Sequence, residues 1–357
     1  MLSLVRGLWR SQWGVLCNFN CPNNISYFWN GGSLLGLVLV GQICSGLLLS
    51  FNYAAFVGVA FELVDGVGRD IWGGFVVRNI HVLGSSLFFA LIFLHIGRGV
   101  YYGGALMWGV WVSGVVLLVI SMGVGFLGYI LPWGQMSYWG ATVITNFLSV
   151  VGSELVVWIW GAFSVDGPTL MRFYSLHFLL PFVLVVGLIV HLVLLHMGGN
   201  SNPLGVMSFC DSRLFFPYFL SKDVVGFVVV CGLAYIYLFT YDLDEPQNFI
   251  GANVLTTPEH IQPEWYFLAA YTVLRAVPSK VGGVVALIAF VCVLLLFSMG
   301  GIPHHSLVQQ NLFWLWVVSF FCLTLGGACP IEEPYVGYGR LWCLVYFGGV
   351  GGLVLMG

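Results

Sequence analysis

The chain has 357 residues, of which 60% are hydrophobic and only 7% are charged, and its formal net charge is −3. Soluble domains carry about 25% charged residues, so this composition excludes a protein that faces water on every side. Apolar runs of roughly 20 residues recur along the chain, and each is long enough to cross a bilayer core of about 30 Å. The sequence therefore predicts a polytopic membrane protein.

Eight apolar segments are the predicted membrane spans, and two shorter stretches near 135–150 and 262–272 are predicted surface or re-entrant helices. Lipid cannot satisfy open backbone groups, and the alternating pattern of a membrane barrel is absent, so an all-α fold is expected. The predicted spans cover residues 31–53, 76–102, 110–130, 171–197, 224–241, 283–301, 312–328 and 340–356.

An even number of spans places both termini on one side of the membrane. That side receives five basic and two acidic residues, whereas the opposite side receives six basic and twelve acidic residues. Basic residues concentrate in loops that face the compartment of synthesis. The charge distribution therefore predicts that both termini face that compartment.

Four histidines form a repeated spacing inside two spans. His81 and His95 are fourteen residues apart in the second span, and His177 and His191 are fourteen apart in the fourth. Fourteen residues make about 3.9 helical turns, so each pair lies on one helix face with about 21 Å between its members. Because the two spans run in the same direction, His81 is expected level with His177, and His95 level with His191.

Each level pair of imidazoles could hold one planar metal macrocycle between two axial nitrogens. Haem iron with histidine on both sides has no open coordination position, which suits electron transfer rather than oxygen binding. A lone intramembrane histidine more often packs between helices or donates one hydrogen bond. Four histidines in two matched pairs favour two haems, held by a bundle of the first four spans.

Four glycines repeat the same interval in the first and third spans, which run opposite to the histidine helices. Gly32 and Gly46 are fourteen residues apart, as are Gly114 and Gly128. Gly46 and Gly128 are then level with the first histidine pair, and Gly32 and Gly114 with the second. A glycine lets a porphyrin edge approach the backbone; the alternative is ordinary small-residue packing between membrane helices.

Two arginines flank the histidines of the second span toward opposite membrane faces. Arg78 lies three residues before His81, and Arg98 lies three residues after His95. A haem propionate buried near lipid needs a cation, and these two guanidinium groups are candidates. The alternative is interfacial anchoring by snorkelling.

Polar residues at each end of this two-haem arrangement are candidates for proton transfer. Glu264 lies in the segment PEWY among aromatic and apolar neighbours, where a carboxylate tends to have a raised pKa and can pass protons. The alternative is a solvated loop carboxylate. On the opposite side, His196 ends the fourth span and Asp223 opens the fifth, where both could exchange protons with water.

The chain resembles mitochondrial cytochrome b of the ubiquinol–cytochrome c reductase (bc1) complex over nearly its whole length. The segments that carry the resemblance are WNGGSLLG (29–36), RNIHVLGSSLFFALIFLHIGRGVYYG (78–103), GYILPWGQMSYWGATVITN (128–146), LHFLLPFVLVVGLIVHLVLLH (176–196), NPLG (202–205) and PEWYFLAAYTVLRAVP (263–278).

The resemblance implies that His81 and His177 bind a low-potential b-type haem, and that His95 and His191 bind a high-potential one. It implies a quinol-oxidising site built from Phe126, Tyr129, Gly140, Pro263, Glu264 and Tyr271. It also implies a quinone-reducing site near Asn30, Ser33, His196, Lys222 and Asp223.

The resemblance further implies ubiquinone or a related quinone as substrate, and a homodimeric complex with a Rieske iron–sulfur protein and a c-type cytochrome. The expected location is the mitochondrial inner membrane, with the N-terminus on the matrix side. Two lysines against 47 glycines also fit a small genome with strong strand bias. We expect a di-haem four-helix domain at 1–200 and a second membrane domain at 201–357, which contributes part of the quinol-oxidising site.

Several positions depart from the family pattern. The order of the polar residues before NPLG differs from the family pattern at Asn200 and Ser201. This difference puts polar contacts near the quinone-reducing site in doubt. Glu245 stands where many relatives have aspartate. Gln262 replaces the basic residue common before PEWY, which is expected to weaken docking of the mobile iron–sulfur domain.

Two other functions would also place histidines inside membrane spans. A transmembrane ferric or oxygen reductase would need a flavin and nicotinamide domain with a G-x-G-x-x-G fingerprint after a strand. A proton-coupled transporter would use intramembrane histidines without haem, and a visible spectrum without a Soret band would favour it.

Overall fold

The computed structural model describes residues 19–205, 211–238, 245–301 and 306–356. Eight helices in this part of the chain are long and apolar enough to cross a membrane, which confirms the predicted all-α polytopic fold. The helices are α1 (Gly31–Ser50), α2 (Ala60–Asp70), α3 (Gly74–Tyr101), α4 (Trp108–Ile130), α5 (Gln135–Asn146), α6 (Ser153–Trp160), α7 (Gly167–Gly198), α8 (Leu220–Tyr237), α9 (Trp265–Ala276), α10 (Lys280–Cys292), α11 (Leu307–Gly327) and α12 (Tyr335–Met356).

The eight spanning elements are α1, α3, α4, α7, α8, α10, α11 and α12, some of them lengthened by a short adjoining turn. Side-chain caps fix where several begin. Asp166 accepts a hydrogen bond from the backbone of Gly167 at the start of α7, Ser279 accepts one from Gly282 at α10, and Ser306 accepts one from Gln309 at α11. Such caps satisfy backbone N–H groups that the first helical turn leaves open.

The structure differs from the predicted elements chiefly in two short helices and in where the fifth span begins. Helices α2 and α6 were not predicted, because eleven and eight residues are too few to cross a bilayer and α2 carries charge. In α2, a guanidinium nitrogen of Arg69 lies 2.6 Å from a carboxylate oxygen of Asp65, one helical turn away. The fifth span begins at Phe215 rather than at 224, since its first turns carry Lys222 and Asp223. Residues 239–241 of that predicted span lie outside the described residues.

The first four spanning helices pack as two pairs, α1 against α3 and α4 against α7. Within the first pair, the Gln42 side chain of α1 donates a hydrogen bond to the carbonyl of His81 at 2.9 Å. It fits because Gly84 on α3 has no side chain: a Cβ at that position would overlap Gln42. The chain thereby buries an amide inside the bundle with its hydrogen bond satisfied.

A short antiparallel ladder joins two distant loops at one end of the bundle. Strand β1 (Asn20–Pro22) pairs with β2 (Ser212–Leu214), so that Cys21 lies opposite Arg213. At the other end, the loop before α9 is tied to α5. Gln135 donates to the carbonyl of Thr256 at 2.5 Å and accepts from the backbone of Asn253 at 2.7 Å.

The C-terminal helices share their core with the N-terminal bundle. Trp111 of α4 donates its indole N–H to the carbonyl of Leu294 at 2.8 Å, and both residues belong to one buried cluster. That cluster also contains Phe89 of α3, Phe313 of α11 and other residues from both halves. The division into domains at 1–200 and 201–357 stays a prediction.

The packing of α9 against α11 predicts a stability difference between two glycine substitutions. In Gly327→Ala, the new Cβ would overlap the backbone carbonyl of Leu268, which cannot rotate away. Overpacking of this kind typically costs about 1–3 kcal/mol. In Gly351→Ala on α12, the Cβ meets nothing within 4 Å.

We therefore expect Gly327→Ala to lower the thermal unfolding midpoint of the detergent-solubilised protein. Gly351→Ala should leave the midpoint unchanged or raise it slightly, because alanine is the better helix former by about 1 kcal/mol. Equal midpoints for the two variants would show that α9 and α11 do not pack this closely.

Candidate functional site

The four histidines form two facing pairs between α3 and α7. The ring centroids of His81 and His177 are 6.3 Å apart, and those of His95 and His191 are 6.5 Å apart. This pairing means that α3 and α7 run parallel. We call the pair His81–His177 the lower pair and the pair His95–His191 the upper pair.

Three of the four rings are held through Nδ1 by a neighbouring oxygen. Nδ1 of His81 lies 2.9 Å from the Ser45 hydroxyl, Nδ1 of His177 lies 2.9 Å from the carbonyl of Val124, and Nδ1 of His191 lies 2.8 Å from the Ser113 hydroxyl. A carbonyl oxygen only accepts, so Nδ1 of His177 carries the proton. A neutral imidazole protonated at Nδ1 keeps its lone pair at Nε2, where a metal can bind.

Each glycine of the fourteen-residue pattern lies beside the histidine at its level. A Cβ added at Gly46 would lie 3.0 Å from the ring of His81, and one at Gly128 would overlap the ring of His177. At the upper pair, a Cβ added at Gly32 would lie 3.6 Å from the ring of His95, and one added at Gly114 would lie 3.4 Å from the ring of His191. Each glycine therefore leaves room for an imidazole ring, and the approach of a porphyrin edge to these glycines stays a prediction.

The donor set of each pair fits a metal that brings its own equatorial ligands. The described residues contain no group of three or more histidine, cysteine or acidic side chains placed to hold a metal ion. A protein zinc site needs three or four such ligands, with metal–nitrogen bonds of about 2.0–2.1 Å. Two rings on opposite sides of one metal at such bond lengths have centroids about 6 Å apart, which matches the observed separations.

The lower pair lines a cavity of about 180 Å³. Arg78 and Gly128 line it as well, and so do two carboxylates, Glu245 and Glu264. A guanidinium beside paired imidazoles provides the cation that a carboxylate-bearing macrocycle requires.

The upper pair lines a larger cavity of about 530 Å³. Four buried polar atoms on its wall have no hydrogen-bond partner in the described part of the chain: Nδ2 of Asn30, Nδ1 of His95, Nε of Arg98 and Oγ of Ser201. Buried polar groups are normally paired, so the atoms of Asn30, Arg98 and Ser201 point to a polar ligand, whereas Nδ1 of His95 lies beside Gly31. The Arg98 guanidinium also lies 5.3 Å from the centroid of the Trp29 ring, whose indole N–H bonds the carbonyl of Ser201.

Most of the predicted quinone-reducing residues share this upper cavity. Asn30, Ser33, His196 and Asp223 all line it, and the hydroxyl of Ser33 lies 2.6 Å from a carboxylate oxygen of Asp223. The structure does not bring Lys222 into the cavity wall. Its ammonium donates to the carbonyl of Ile25 at 2.8 Å, because it projects from α8 toward the turn that precedes α1.

Cys21 is a residue of this cavity that sequence reasoning missed. Its side chain is buried, and its sulfur accepts a hydrogen bond from the Asn200 amide at 3.2 Å. Burial raises the pKa of the Cys21 thiol to about 11, so it stays protonated at neutral pH. Asn200 is one of the two reshuffled positions before NPLG, and no spacing in the sequence connects it with a cysteine 179 residues away.

A third cavity, narrow and about 20 Å³ in volume, gathers the predicted quinol-oxidising residues. The hydroxyl of Tyr271 donates to the carbonyl of Ile261 at 3.2 Å, which fixes the loop beside the cavity. Tyr129 and Glu264 line this cavity and the lower one, so they lie between the two. The predicted residues on its wall are Phe126, Tyr129, Gly140, Pro263, Glu264 and Tyr271.

Two of the departures from the family pattern contact each other. Gln262 donates from its amide nitrogen to a carboxylate oxygen of Glu245 at 3.2 Å. Gln262 lines the narrow cavity and Glu245 lines the lower one, so this hydrogen bond links the walls of the two.

Comparison with known proteins agrees with this geometry. Residues 16–199 match the family described as "Cytochrome b/b6/petB", and residues 251–347 match the family described as "Cytochrome b(C-terminal)/b6/petD". A solved structure named "Hyperthermophilic respiratory Complex III" contains a similar chain, with a TM-score of 0.90 and 28% sequence identity. The match covers 99% of this chain and 96% of that one.

The family matches include all four histidines in the N-terminal part and Glu264 and Tyr271 in the C-terminal part. The resemblance seen in the sequence is thereby confirmed. This chain belongs to the cytochrome b/b6 family, in both its N-terminal and its C-terminal parts.

Proposed function

We propose that the chain is the di-haem cytochrome b of a quinol–cytochrome c oxidoreductase. Membership of the family implies haem b and an electron-transfer role. One observation supports the proposal of two haems. The histidines form two level pairs with ring centroids 6.3 and 6.5 Å apart, and each pair lines its own cavity. In this proposal, quinol is oxidised beside the lower pair, quinone is reduced beside the upper pair, and protons move across the membrane.

His81 and His177 would hold the low-potential haem, and His95 and His191 the high-potential haem. When bound there, haem would supply reversible one-electron chemistry at its iron. Arg78 would pair with a propionate at the lower site. Arg98 would do so at the upper site, and its buried, unpartnered Nε supports this role.

At the quinol end, Glu264 would accept a proton from the quinol hydroxyl and pass it toward the lower cavity, which it also lines. Phe126, Tyr129 and Tyr271 would pack against the quinol ring and keep water from it. A volume of about 20 Å³ admits about one water molecule, so the wall must open before a quinol ring fits.

At the quinone end, the carboxyl of Asp223 and the imidazole of His196 would deliver protons to the quinone oxygens. Ser33 orients Asp223 through the 2.6 Å contact between their oxygens. The ring of Phe19, which also lines this cavity, packs on His196 with 4.4 Å between the ring centroids.

The structural similarity to a chain of a respiratory Complex III supports a multi-subunit assembly. We propose a homodimer with a Rieske iron–sulfur protein and a c-type cytochrome, acting on ubiquinone or a related quinone. The charge distribution and the scarcity of lysine support a mitochondrial inner membrane location with the N-terminus in the matrix. Gln262 is uncharged and stands where the resemblance predicts a basic residue, so the loop before PEWY would dock the iron–sulfur protein more weakly.

The test of this proposal is the absorption spectrum of the purified protein. We expect two b-type components, with haem and protein in a ratio of about two to one for two bis-histidine sites. A purified protein without a Soret band would refute the proposal and favour the haem-free transporter.

Substitution of single histidines should remove the haems one at a time, because each pair of rings holds one metal. We expect His81→Leu and His177→Leu to delete the same spectral component, and His95→Leu and His191→Leu to delete the other. The measurement is the reduced-minus-oxidised spectrum together with haem quantification. Deletion of one shared component by His81→Leu and His191→Leu would contradict the pairing.

Gly128 provides a second, milder perturbation of the lower site. In Gly128→Ala the Cβ would overlap the ring of His177, so the ring must move. We expect a several-fold loss of the lower haem, or a shift of its absorption band, with the upper haem intact. Gly123→Ala on the same helix is the matched control, because its Cβ meets nothing within 4 Å. Identical spectra for the two variants would make Gly128 a helix-packing residue only.

Glu264→Gln separates a proton-transfer role from a structural one. Glutamine keeps the shape and the hydrogen bonding but cannot ionise, and loss of a general base typically costs about 10²-fold or more. We expect a smaller decrease in quinol oxidation, since water can share the work, together with a changed pH profile and intact haem spectra. Glu259→Gln, in the exposed part of the same loop, is the control. Unchanged turnover and pH dependence in Glu264→Gln would remove Glu264 from the proton path.

A further inference from the structure

We propose that hydrogen bonds to Nδ1 of the haem-binding histidines set the order of the two haem potentials. This inference rests on the proposed function, in which each histidine pair holds one haem. At the lower pair both Nδ1 atoms have an acceptor, Ser45 for His81 and Val124 for His177. At the upper pair only His191 has one, since Nδ1 of His95 is buried and has no partner among the described residues.

Both serine oxygens are placed to accept rather than to donate. The Ser45 hydroxyl donates to the carbonyl of Gly41 at 2.7 Å, and the Ser113 hydroxyl donates to the carbonyl of Val110 at 2.8 Å. Each hydroxyl has a single hydrogen, so its oxygen is left to accept from the imidazole. The Val124 carbonyl can only accept. All three contacts therefore place the proton on Nδ1 and the ligating lone pair on Nε2.

An imidazole that donates its Nδ1–H to an oxygen becomes a more basic ligand. A more basic axial ligand stabilises the ferric state relative to the ferrous state and lowers the reduction potential, and hydrogen bonding around the axial ligands is one of the means by which proteins tune haem. Two such bonds at the lower pair and one at the upper pair place the lower haem at the lower potential. An electron that enters at the lower haem is then transferred to the upper haem, which has the higher reduction potential.

Nearby charges act on the same potentials. Each cavity is lined by one arginine, Arg78 or Arg98, so the arginines do not distinguish the sites. Two carboxylates, Glu245 and Glu264, line the lower cavity and one, Asp223, lines the upper, which favours the same order. Variants that change the hydrogen bonds without changing any charge isolate the effect of the serines.

The removal test uses Ser45→Ala and Ser113→Ala, followed by redox titration of the haem absorption bands in the purified complex. Ser45→Ala should raise the midpoint potential of the lower haem alone, and Ser113→Ala that of the upper haem alone. We expect a change of up to about ten-fold in the ratio of reduced to oxidised haem at fixed potential, which is about 59 mV for a one-electron couple. Ser121→Ala is the control, because this serine bonds the carbonyl of Leu117 and no imidazole.

The addition test supplies the hydrogen bond that His95 lacks. A Cβ at Gly31 would lie 3.4 Å from Nδ1 of His95, an ordinary contact, and the backbone there is right-handed helical with φ −52°. Gly31→Ser places a hydroxyl beside that nitrogen and should lower the midpoint potential of the upper haem. Gly31→Ala adds the same carbon without an acceptor and should leave the potential unchanged.

The outcomes separate this inference from the function on which it rests. A wild-type protein without two b-type components would overturn the proposed function itself. Two normal components whose midpoints do not move in Ser45→Ala, Ser113→Ala and Gly31→Ser would overturn the inference alone. Equal shifts in Gly31→Ser and Gly31→Ala would overturn it as well, because packing rather than hydrogen bonding would then be the cause.

Discussion

The parallel alignment of α3 and α7 is the constraint on which the rest of the structure depends. Because the two helices run in the same direction and in register, the fourteen-residue spacing on each places His81 level with His177 and His95 level with His191. The ring separations of 6.3 and 6.5 Å show how closely the register is kept along both helices. Helices α1 and α4 support this register by packing on the outer sides and by presenting glycine at each level.

A polar group inside a membrane bundle raises the free energy of the folded protein unless it is hydrogen-bonded, because lipid offers it no partner. The bundle satisfies the lower ring nitrogens with a serine and a backbone carbonyl, and satisfies the Gln42 amide with the carbonyl of His81. It leaves unsatisfied atoms chiefly around the larger cavity. Nε of Arg98 and Oγ of Ser201 are examples: neither atom has a hydrogen-bond partner among the described residues, and this marks where a polar ligand belongs.

The sequence was sufficient to predict the spans and the histidine pairing. Membrane spans follow from composition and length, and the pairing of His81 with His177 follows from helical periodicity. The Nδ1 acceptors could not be predicted, because a serine in a helix commonly bonds its own backbone, and nothing in the spacing distinguishes Ser45 from Ser121. The Cys21–Asn200 hydrogen bond joins residues 179 positions apart, and Cys21 lies in strand β1, which pairs with the distant strand β2; no local pattern predicts either contact. The sequence does not indicate the partner of Lys222, whose ammonium bonds the carbonyl of Ile25; a role for Lys222 near quinone stays a prediction.

The order of the cavities along the chain has a consequence for biogenesis. All four histidines lie between residues 81 and 191, whereas Glu264 and Tyr271 come from α9 and the loop before it. Domains generally form from the N-terminus onward during synthesis. In the proposed function, a nascent chain that has inserted its first four spans would therefore carry both haem-binding histidine pairs before the segment with Glu264 and Tyr271 is made. In that order, insertion of haem would precede completion of the narrow cavity that Glu264 and Tyr271 line.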